Sequence, residues 1–314
     1  MYIEVFIFMK KILYIRSNSN CNSRCFMCDY WKCDKREISI FDFEKILNEN
    51  EDVNMIRFTG GEPLLCSCLP SLINMCSKQN IKSSIITNGL LLNEKIKDLV
   101  DMGLGQVVIS LDGSNDALHD ELRGVSGCFK NIVMALERVN IEFPGLRIRV
   151  NTVVSHKNVH DLVNILNILE KYNVEQWSII PIKMEGYKWC DYISLEELKR
   201  AYRDFQLSVK NTKVKLMGYS SDWARNIEGF WNGVYNVRPS GVCNLTQFVL
   251  YYNPFEHRYY PCNCVPHRLK KFSTYDEEKN WYYQHGSINC VGCEPLNAFC
   301  SDFPKVLEYD IFEF

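Results

Sequence analysis

The sequence predicts an α/β protein built as a partial (β/α)6 TIM-like barrel, followed by a small cysteine-rich domain. Two observations predict it. Short β-rich apolar runs alternate with longer segments of helical periodicity, which is typical of βαβ units in a parallel sheet. From about residue 211 the alternation stops, and aromatic residues, Asn and Cys become dense. We therefore predict a barrel over residues 1–210 and a second domain over residues 211–314, a division that suits a chain of 314 residues.

Six strand–helix repeats account for the predicted barrel. The predicted strands are 12–15, 55–58, 83–86, 106–111, 147–153 and 177–182. The predicted helices are 40–48, 69–79, 93–102, 128–140, 162–172 and 195–209.

Composition and charge exclude some classes of function. Hydrophobic residues make up 46% of the chain, the formal net charge is −2, and no long run of Lys or Arg occurs. A basic surface that would bind nucleic acid independently of sequence is therefore not expected, although the fold could still assemble a local basic patch. The apolar run at the N-terminus is too short to span a bilayer, and its charges follow it. We expect a cytoplasmic protein without a membrane partner, whose translation starts at Met1 or Met9.

The chain contains 15 cysteines, an odd number, and no export signal. In a reducing compartment, metal binding explains clustered cysteines better than disulfides do. The scattered cysteines are expected to pack as small hydrophobic residues; these are Cys66, Cys68, Cys76, Cys128 and Cys190.

Cys21, Cys25 and Cys28 form a C-x3-C-x2-C cluster directly after the first predicted strand. Loops that follow the strands of a βα barrel form the face where active sites lie. Three thiolates can hold an iron–sulfur cluster and leave one iron without a protein ligand. A zinc site is the alternative, but structural zinc usually takes four ligands, commonly in C-x2-C pairs.

Three further motifs lie at the ends of the second, third and fourth predicted strands: TGGEP at 59–63, TNG at 87–89 and SLDG at 110–113. A fourth motif, HDELRG at 119–124, comes soon after SLDG. With the cysteine spacing, these motifs make residues 12–183 resemble the radical S-adenosylmethionine (radical SAM) superfamily. The resemblance implies an enzyme that cleaves S-adenosylmethionine at a 4Fe–4S cluster to a 5′-deoxyadenosyl radical, which abstracts hydrogen from a substrate. It also implies an external one-electron reductant such as flavodoxin or ferredoxin.

The resemblance further implies which residues bind S-adenosylmethionine. The methionine amino group is assigned to the GGE segment, and Arg123 either pairs with the methionine carboxylate or forms a loop-fixing salt bridge. Met27 stands where the family often has an aromatic residue, so adenine contact is expected at Phe26 or through backbone only. The predicted cofactor-binding residues are Phe26, Gly60, Gly61, Glu62, Asn88, Ser110, Asp112 and Arg123.

The C-terminal region carries six cysteines, and its pattern resembles the SPASM/Twitch extension of the family, with His257 where a glycine is expected. Six cysteines are too few for two fully ligated clusters, so one auxiliary 4Fe–4S cluster is expected, with a four-cysteine zinc site as the alternative. The expected ligands are Cys243, Cys262, Cys290 and Cys293, with Cys264 and Cys300 as substitutes.

Two classes of substrate remain open. A small polar molecule such as a sugar, aminocyclitol or nucleoside, undergoing dehydrogenation or a related rearrangement, is favoured because little chain precedes Cys21 for a peptide-recognition domain. Modification of a ribosomal peptide or a protein side chain is the alternative. Outside the enzymes, an iron–sulfur electron-transfer module is possible, but such a module would not need the GGEP and SLDG elements.

Overall fold

The structure, a computed structural model, describes residues 11–182, 187–217, 227–229, 231–232 and 249–260. Within these residues nine strands form one sheet: β1 (Lys11–Asn18), β2 (Val53–Gly60), β3 (Lys82–Thr87), β4 (Gln106–Ser110), β5 (Arg147–Val154), β6 (Gln176–Pro181), β7 (Lys215–Met217), β8 (Val249–Asn253) and β9 (Arg258–Tyr260). The helices of this part of the chain include α1 (Ile40–Glu49), α2 (Leu69–Lys78), α3 (Leu92–Asp101), α4 (Asp116–Arg123), α5 (Cys128–Glu142), α6 (Leu162–Lys171) and α7 (Leu195–Ser208).

The order of strands in the sheet is β7-β6-β5-β4-β3-β2-β1-β8-β9. Neighbouring strands from β7 to β8 run parallel, and β9 pairs antiparallel with β8. From β1 to β6, at least one helix connects each strand to the next strand in the chain. The prediction of an α/β partial barrel is confirmed, and each of the six predicted strands and six predicted helices overlaps an observed element.

One face of the sheet packs against the helices. Alternate residues of β1 and β2, including Leu13, Ile15 and Phe58, belong to a buried apolar core that also contains side chains from the helices. Helix α7 also buries one apolar face. Its buried residues recur at helical spacing; they are Leu198, Ala201, Tyr202 and Phe205. Apolar burial on this face therefore holds the helices around the sheet.

The opposite face of the sheet is polar at its centre. Arg57, which is 1% exposed, donates from Nη1 to the hydroxyl of Tyr14 at 2.8 Å and from Nη2 to Oε1 of Gln106 at 2.8 Å. The ring of Tyr14 stacks on that of Tyr251 in β8, with centroids 4.8 Å apart. This network joins strands β8, β1, β2 and β4 across the inside of the barrel.

Several elements were not predicted from the sequence. Helix α4 overlaps the HDELRG motif, and β7, β8 and β9 lie beyond residue 211. The predicted domain boundary stays a prediction, although these three strands are hydrogen bonded into the barrel sheet.

In the turn between β8 and β9, His257 has φ +48°, the left-handed conformation that a glycine would adopt at no steric cost. None of the helices in the described ranges is long and apolar enough to cross a membrane.

Candidate active site

The loop that carries the three clustered cysteines, here called the cysteine loop (residues 19–28), leaves β1 at its carboxyl end. Cys25 is buried, and Cys21 and Cys28 are half-buried. Burial raises the pKa of the Cys21 thiol to about 11 and also raises that of Cys28, and the neighbouring cysteines add to both shifts. The thiols of Cys21 and Cys28 therefore lie in a partly dehydrated part of the loop.

These three thiols fit an iron–sulfur cluster by the chemistry of the donor set, because such clusters are held by cysteine thiolates. No three His, Cys, Asp or Glu side chains of the described chain surround a single metal-ion position. The predicted ligands Cys243, Cys262, Cys290 and Cys293, and the substitutes Cys264 and Cys300, lie outside the described residues.

The GGE segment at the end of β2 lies directly against the cysteine loop. The amide of Gly61 donates to the carbonyl of Asn18 at 3.0 Å, and the amide of Glu62 donates to the carbonyl of Asn20 at 2.7 Å. A Cβ atom on Gly60 or Gly61 would lie 2.2 Å from one of these two carbonyl oxygens. The two glycines therefore let the backbones of the GGE segment and the cysteine loop approach each other.

The side chain of Glu62 is fully buried and holds the next strand end in place. Its Oε1 accepts from the hydroxyl of Thr87 at 2.6 Å and from the amide of Leu64 at 3.0 Å, and its Oε2 accepts from the amide of Asn88 at 2.7 Å. Burial raises the pKa of this carboxyl to about 7, although the three donors oppose the shift. Both carboxylate oxygens are therefore already used within the protein.

Asn88 connects the TNG turn to the cysteine loop. Its Nδ2 lies 2.7 Å from Oδ1 of Asn22 and 2.8 Å from the hydroxyl of Ser23. On the next strand, Ser110 is half-buried and stands in register with Asn151 of β5. Asn88 thus positions the loop, while Ser110 remains partly accessible at the strand end.

The carboxyl end of α4 supports the other side of the cysteine loop. The amides of Arg24 and Phe26 donate to the carbonyls of Arg123 and Leu122 at 3.0 and 3.3 Å. Gly124 has φ +60°, and a Cβ there would lie 2.4 Å from the carbonyl oxygen of Arg24. The glycine of the HDELRG motif is thus explained by this close backbone contact.

Arg123 forms a buried ion pair with Asp112 and also lies next to Cys25 of the cysteine loop. Its Nη2 lies 2.7 Å from Oδ2 of Asp112, and its Nη1 lies 3.8 Å from Sγ of Cys25. Asp112 also accepts from the amide of Val153 at 2.7 Å. Burial raises the pKa of Asp112, an effect that the positive charge of Arg123 opposes. Of the two roles expected for Arg123, the structure contains the loop-fixing salt bridge.

Phe26 is half-buried in the cysteine loop, and Nζ of Lys157 lies 5.6 Å from the centre of its ring. Met27, which stands where the family often has an aromatic side chain, is also half-buried and packs against the core. The ring of Phe26 is therefore oriented partly by a cation on the loop after β5.

Two buried residues of the site were not predicted. Asn18 donates from Nδ2 to the carbonyl of Glu62 at 2.8 Å, and its Oδ1 has no hydrogen-bond partner within the described chain. His119 accepts at Nδ1 from the amide of Asp112 at 3.1 Å, and burial lowers its pKa to about 3. The HDELRG motif contained the signal for His119, but only the fold shows that its imidazole is neutral and structural.

The part of the chain that carries this site is similar to known proteins. The family model described as "Radical SAM superfamily" matches residues 15–169. The chain is 27% identical over 171 residues to Fe-coproporphyrin III synthase of Methanosarcina barkeri and 33% identical over 216 residues to GTP 3′,8-cyclase of Clostridium botulinum. These alignments cover 52% and 62% of this chain, but only 42% and 65% of the two relatives.

Among solved structures, SuiB of Streptococcus suis bound to S-adenosylmethionine matches 90% of this chain and 68% of its own, with a TM-score of 0.65 and 19% identity. The same protein bound to its precursor peptide SuiA also has a TM-score of 0.65. At this identity the likeness concerns the fold.

Proposed function

We propose that this chain, whose residues 15–169 match the family model of the radical SAM superfamily, is a member of that superfamily and an enzyme that cleaves S-adenosylmethionine reductively and oxidises a small polar substrate. Cys21, Cys25 and Cys28 would hold the 4Fe–4S cluster. The observation that carries this proposal is the cysteine loop itself, whose backbone is hydrogen bonded to the GGE segment on one side and to the end of α4 on the other. A loop held at both sides keeps its thiols in place for ligation.

The cluster, when bound and reduced, supplies the electron that splits S-adenosylmethionine into methionine and a 5′-deoxyadenosyl radical. The residues of this chain prepare the site. Ligation must displace the thiol protons of Cys21 and Cys28, whose pKa values are raised by burial, so loading is expected to be easier at higher pH. The guanidinium of Arg123, 3.8 Å from Sγ of Cys25, compensates part of the negative charge that the thiolates bring.

For S-adenosylmethionine, we assign the contact with the amino group to the backbone of Gly60, Gly61 and Glu62. Both carboxylate oxygens of Glu62 already accept hydrogen bonds, which favours the backbone over that side chain. Ser110 is the accessible polar side chain at the neighbouring strand end and suits a ribose hydroxyl. Phe26 is proposed as the adenine contact.

The inside of the barrel supports a small polar substrate. Nη2 of Arg149 donates to the hydroxyl of Ser178 at 2.6 Å. Asn151 stands in register with Ser178 and, two residues after Arg149 in β5, lies on the same side of the strand as Arg149. Polar side chains on this face suit hydroxyl or amino groups better than an apolar ligand. The substrate class remains a proposal, since the relatives named above act on chemically different molecules.

A SPASM/Twitch-type extension with one auxiliary 4Fe–4S cluster is proposed for the C-terminal region, with Cys243, Cys262, Cys290 and Cys293 as ligands. The left-handed φ of His257 supports this assignment, because the position where that extension has a glycine adopts the backbone conformation that favours glycine. An auxiliary cluster would accept the electron released when the substrate radical is oxidised. An external flavodoxin or ferredoxin is the proposed reductant.

The test is a metal analysis of anaerobically reconstituted protein. Iron, sulfide and zinc per chain are measured for the wild type, for a variant with Cys21, Cys25 and Cys28 changed to Ala, and for Cys33→Ala as a control. Cys33 is exposed in the segment that follows the cysteine loop, so this variant is expected to keep the full iron content. The triple variant is expected to retain about four irons with matching sulfide. If it loses all iron and keeps zinc, the C-terminal cysteines form a structural zinc site.

The second measurement is formation of 5′-deoxyadenosine after chemical reduction. Reconstituted wild type is expected to form it, and the triple variant is not. A wild-type protein that holds its cluster but neither binds nor cleaves S-adenosylmethionine would support the electron-transfer module instead. Stimulation of cleavage by peptides but not by sugars, aminocyclitols or nucleosides would support the peptide-modifying alternative.

A further inference from the structure

Two cysteines outside the cysteine loop lie side by side. Cys66 and Cys68 follow the GGEP segment and precede α2, and their Sγ atoms are 3.5 Å apart. This distance permits a thiol hydrogen bond, and a disulfide between the two would require the sulfur atoms to approach to about 2.05 Å. The sequence predicted two unrelated small hydrophobic residues; the fold forms a dithiol.

The two sulfur atoms differ in their access to solvent. Cys66 is 2% exposed and its Sγ lies 3.6 Å from the carbonyl oxygen of Ser17. Cys68 is half-buried next to the exposed Ser67, and its Sγ lies 3.2 Å from the carbonyl oxygen of Ile38. An external disulfide can therefore reach Cys68 first, with Cys66 placed behind it.

The interaction between the two thiols also favours this order. The hydrogen bond from Cys66 lowers the pKa of the Cys68 thiol, whereas the same contact and burial raise that of Cys66. The more exposed sulfur is thus the one with more thiolate character.

We propose that Cys66 and Cys68 are a redox-active dithiol, which forms an intramolecular disulfide by exchange with an external disulfide such as oxidised glutathione. The Cys68 thiolate attacks a sulfur of the oxidant, forms a mixed disulfide and releases one molecule of thiol. Cys66 then loses its proton to solvent and attacks Sγ of Cys68, which releases the second molecule of thiol. The protein loses two electrons and two protons, and the oxidant is reduced to two thiols.

The surroundings accommodate the loss of the thiol hydrogens. The carbonyl of Ser17, which faces Cys66, also accepts from the amide of Ile38 at 2.9 Å, so it keeps a partner when Cys66 is oxidised. Cys66 and Cys68 are not in the cysteine loop, so oxidation is expected to leave the cluster iron in place. The proposal does not depend on the function proposed above.

The experiment uses reconstituted protein under anaerobic conditions, equilibrated with mixtures of oxidised and reduced glutathione, then blocked with an alkylating agent and digested with trypsin. Cleavage after Arg57 and Lys78 releases residues 58–78, which contain Cys66, Cys68 and Cys76. We expect this peptide to lose two hydrogen atoms reversibly, with iron per chain unchanged. Cys76→Ser is the matched control, because Cys76 lies in the same peptide at a fully buried position of α2 and its variant should still form the disulfide.

Two single variants test the order of reaction. Cys66→Ser is expected to accumulate a glutathione adduct on Cys68, while Cys68→Ser is expected to form neither the disulfide nor an adduct on the buried Cys66. The proposal is overturned if the wild-type peptide keeps its hydrogens in the most oxidising mixture, or if Cys68→Ser still loses two hydrogen atoms.

Discussion

Replacement of Gly61 by Ala tests whether the contact between the GGE segment and the cysteine loop positions the chemistry. The added Cβ would lie 2.2 Å from the carbonyl oxygen of Asn20 and 2.5 Å from its carbonyl carbon, whereas real Cβ atoms essentially never approach closer than 3.0 Å. These are backbone atoms, so the two segments must separate by at least about 0.8 Å, a displacement of the size that costs roughly 100-fold in rate when it misplaces reacting groups. The separation also lengthens the hydrogen bond from Glu62 to Asn20, now 2.7 Å.

We therefore expect Gly61→Ala to form 5′-deoxyadenosine about 100-fold more slowly than the wild type at saturating S-adenosylmethionine. The rate is measured anaerobically after chemical reduction, beside iron per chain, so that a misplaced site is distinguished from a lost cluster. Gly145→Ala is the matched control, because a Cβ at Gly145 meets nothing within 4 Å. A Gly61→Ala protein that keeps its iron and cleaves S-adenosylmethionine at the wild-type rate would refute the reasoning.

Three further predictions concern stability. Burial raises the pKa of the Glu62 carboxyl from 4.5 to about 7, so the stability that this group contributes is largest below pH 4.5 and is lost as the pH rises through 7. In unfolding experiments on metal-free protein, Glu62→Gln should flatten this part of the dependence of unfolding free energy on pH. Asp112→Asn leaves Arg123 buried without a countercharge and should lower the unfolding free energy by about 3–5 kcal/mol. Lys97→Ala removes an exposed ion pair with Asp101 and should leave the unfolding free energy unchanged. Because of its positive φ, His257→Gly should be tolerated, and His257→Val should be less stable than His257→Gly by about 1–2 kcal/mol in the same assay.

Much of the barrel could be predicted from the sequence because its determinants are local. Short β-rich apolar runs and the helical spacing of apolar residues are properties of short segments, and they located β1 to β6 within a few residues. Helix α4 escaped prediction because most of its eight residues belong to the HDELRG motif and few of them are apolar. Strand β8 could not be placed, because its pairing partner β1 lies more than 200 residues away in the chain.

The candidate site was predicted as a set of residues, but their roles depended on contacts that no spacing encodes. Gly60, Gly61 and Gly124 were recognised by their motifs, yet only the fold shows that backbone carbonyls of residues 18, 20 and 24 occupy the space of their missing side chains. Two roles were expected for Arg123; the structure shows its ion pair with Asp112, and the contact with the methionine carboxylate stays a prediction.

By itself, the sequence determined the strand–helix alternation, the three-cysteine loop and its place after the first strand, because these follow from residue types at short, regular spacings. Only the tertiary structure decided that Glu62 and Asn88 hold neighbouring loops together, that Arg123 reaches Cys25, and that Cys66 and Cys68 face each other. The physical reason is that hydrogen bonds and ion pairs act over a few ångströms in space. Residues distant in sequence come within that range only after burial of the apolar face has brought their strands together.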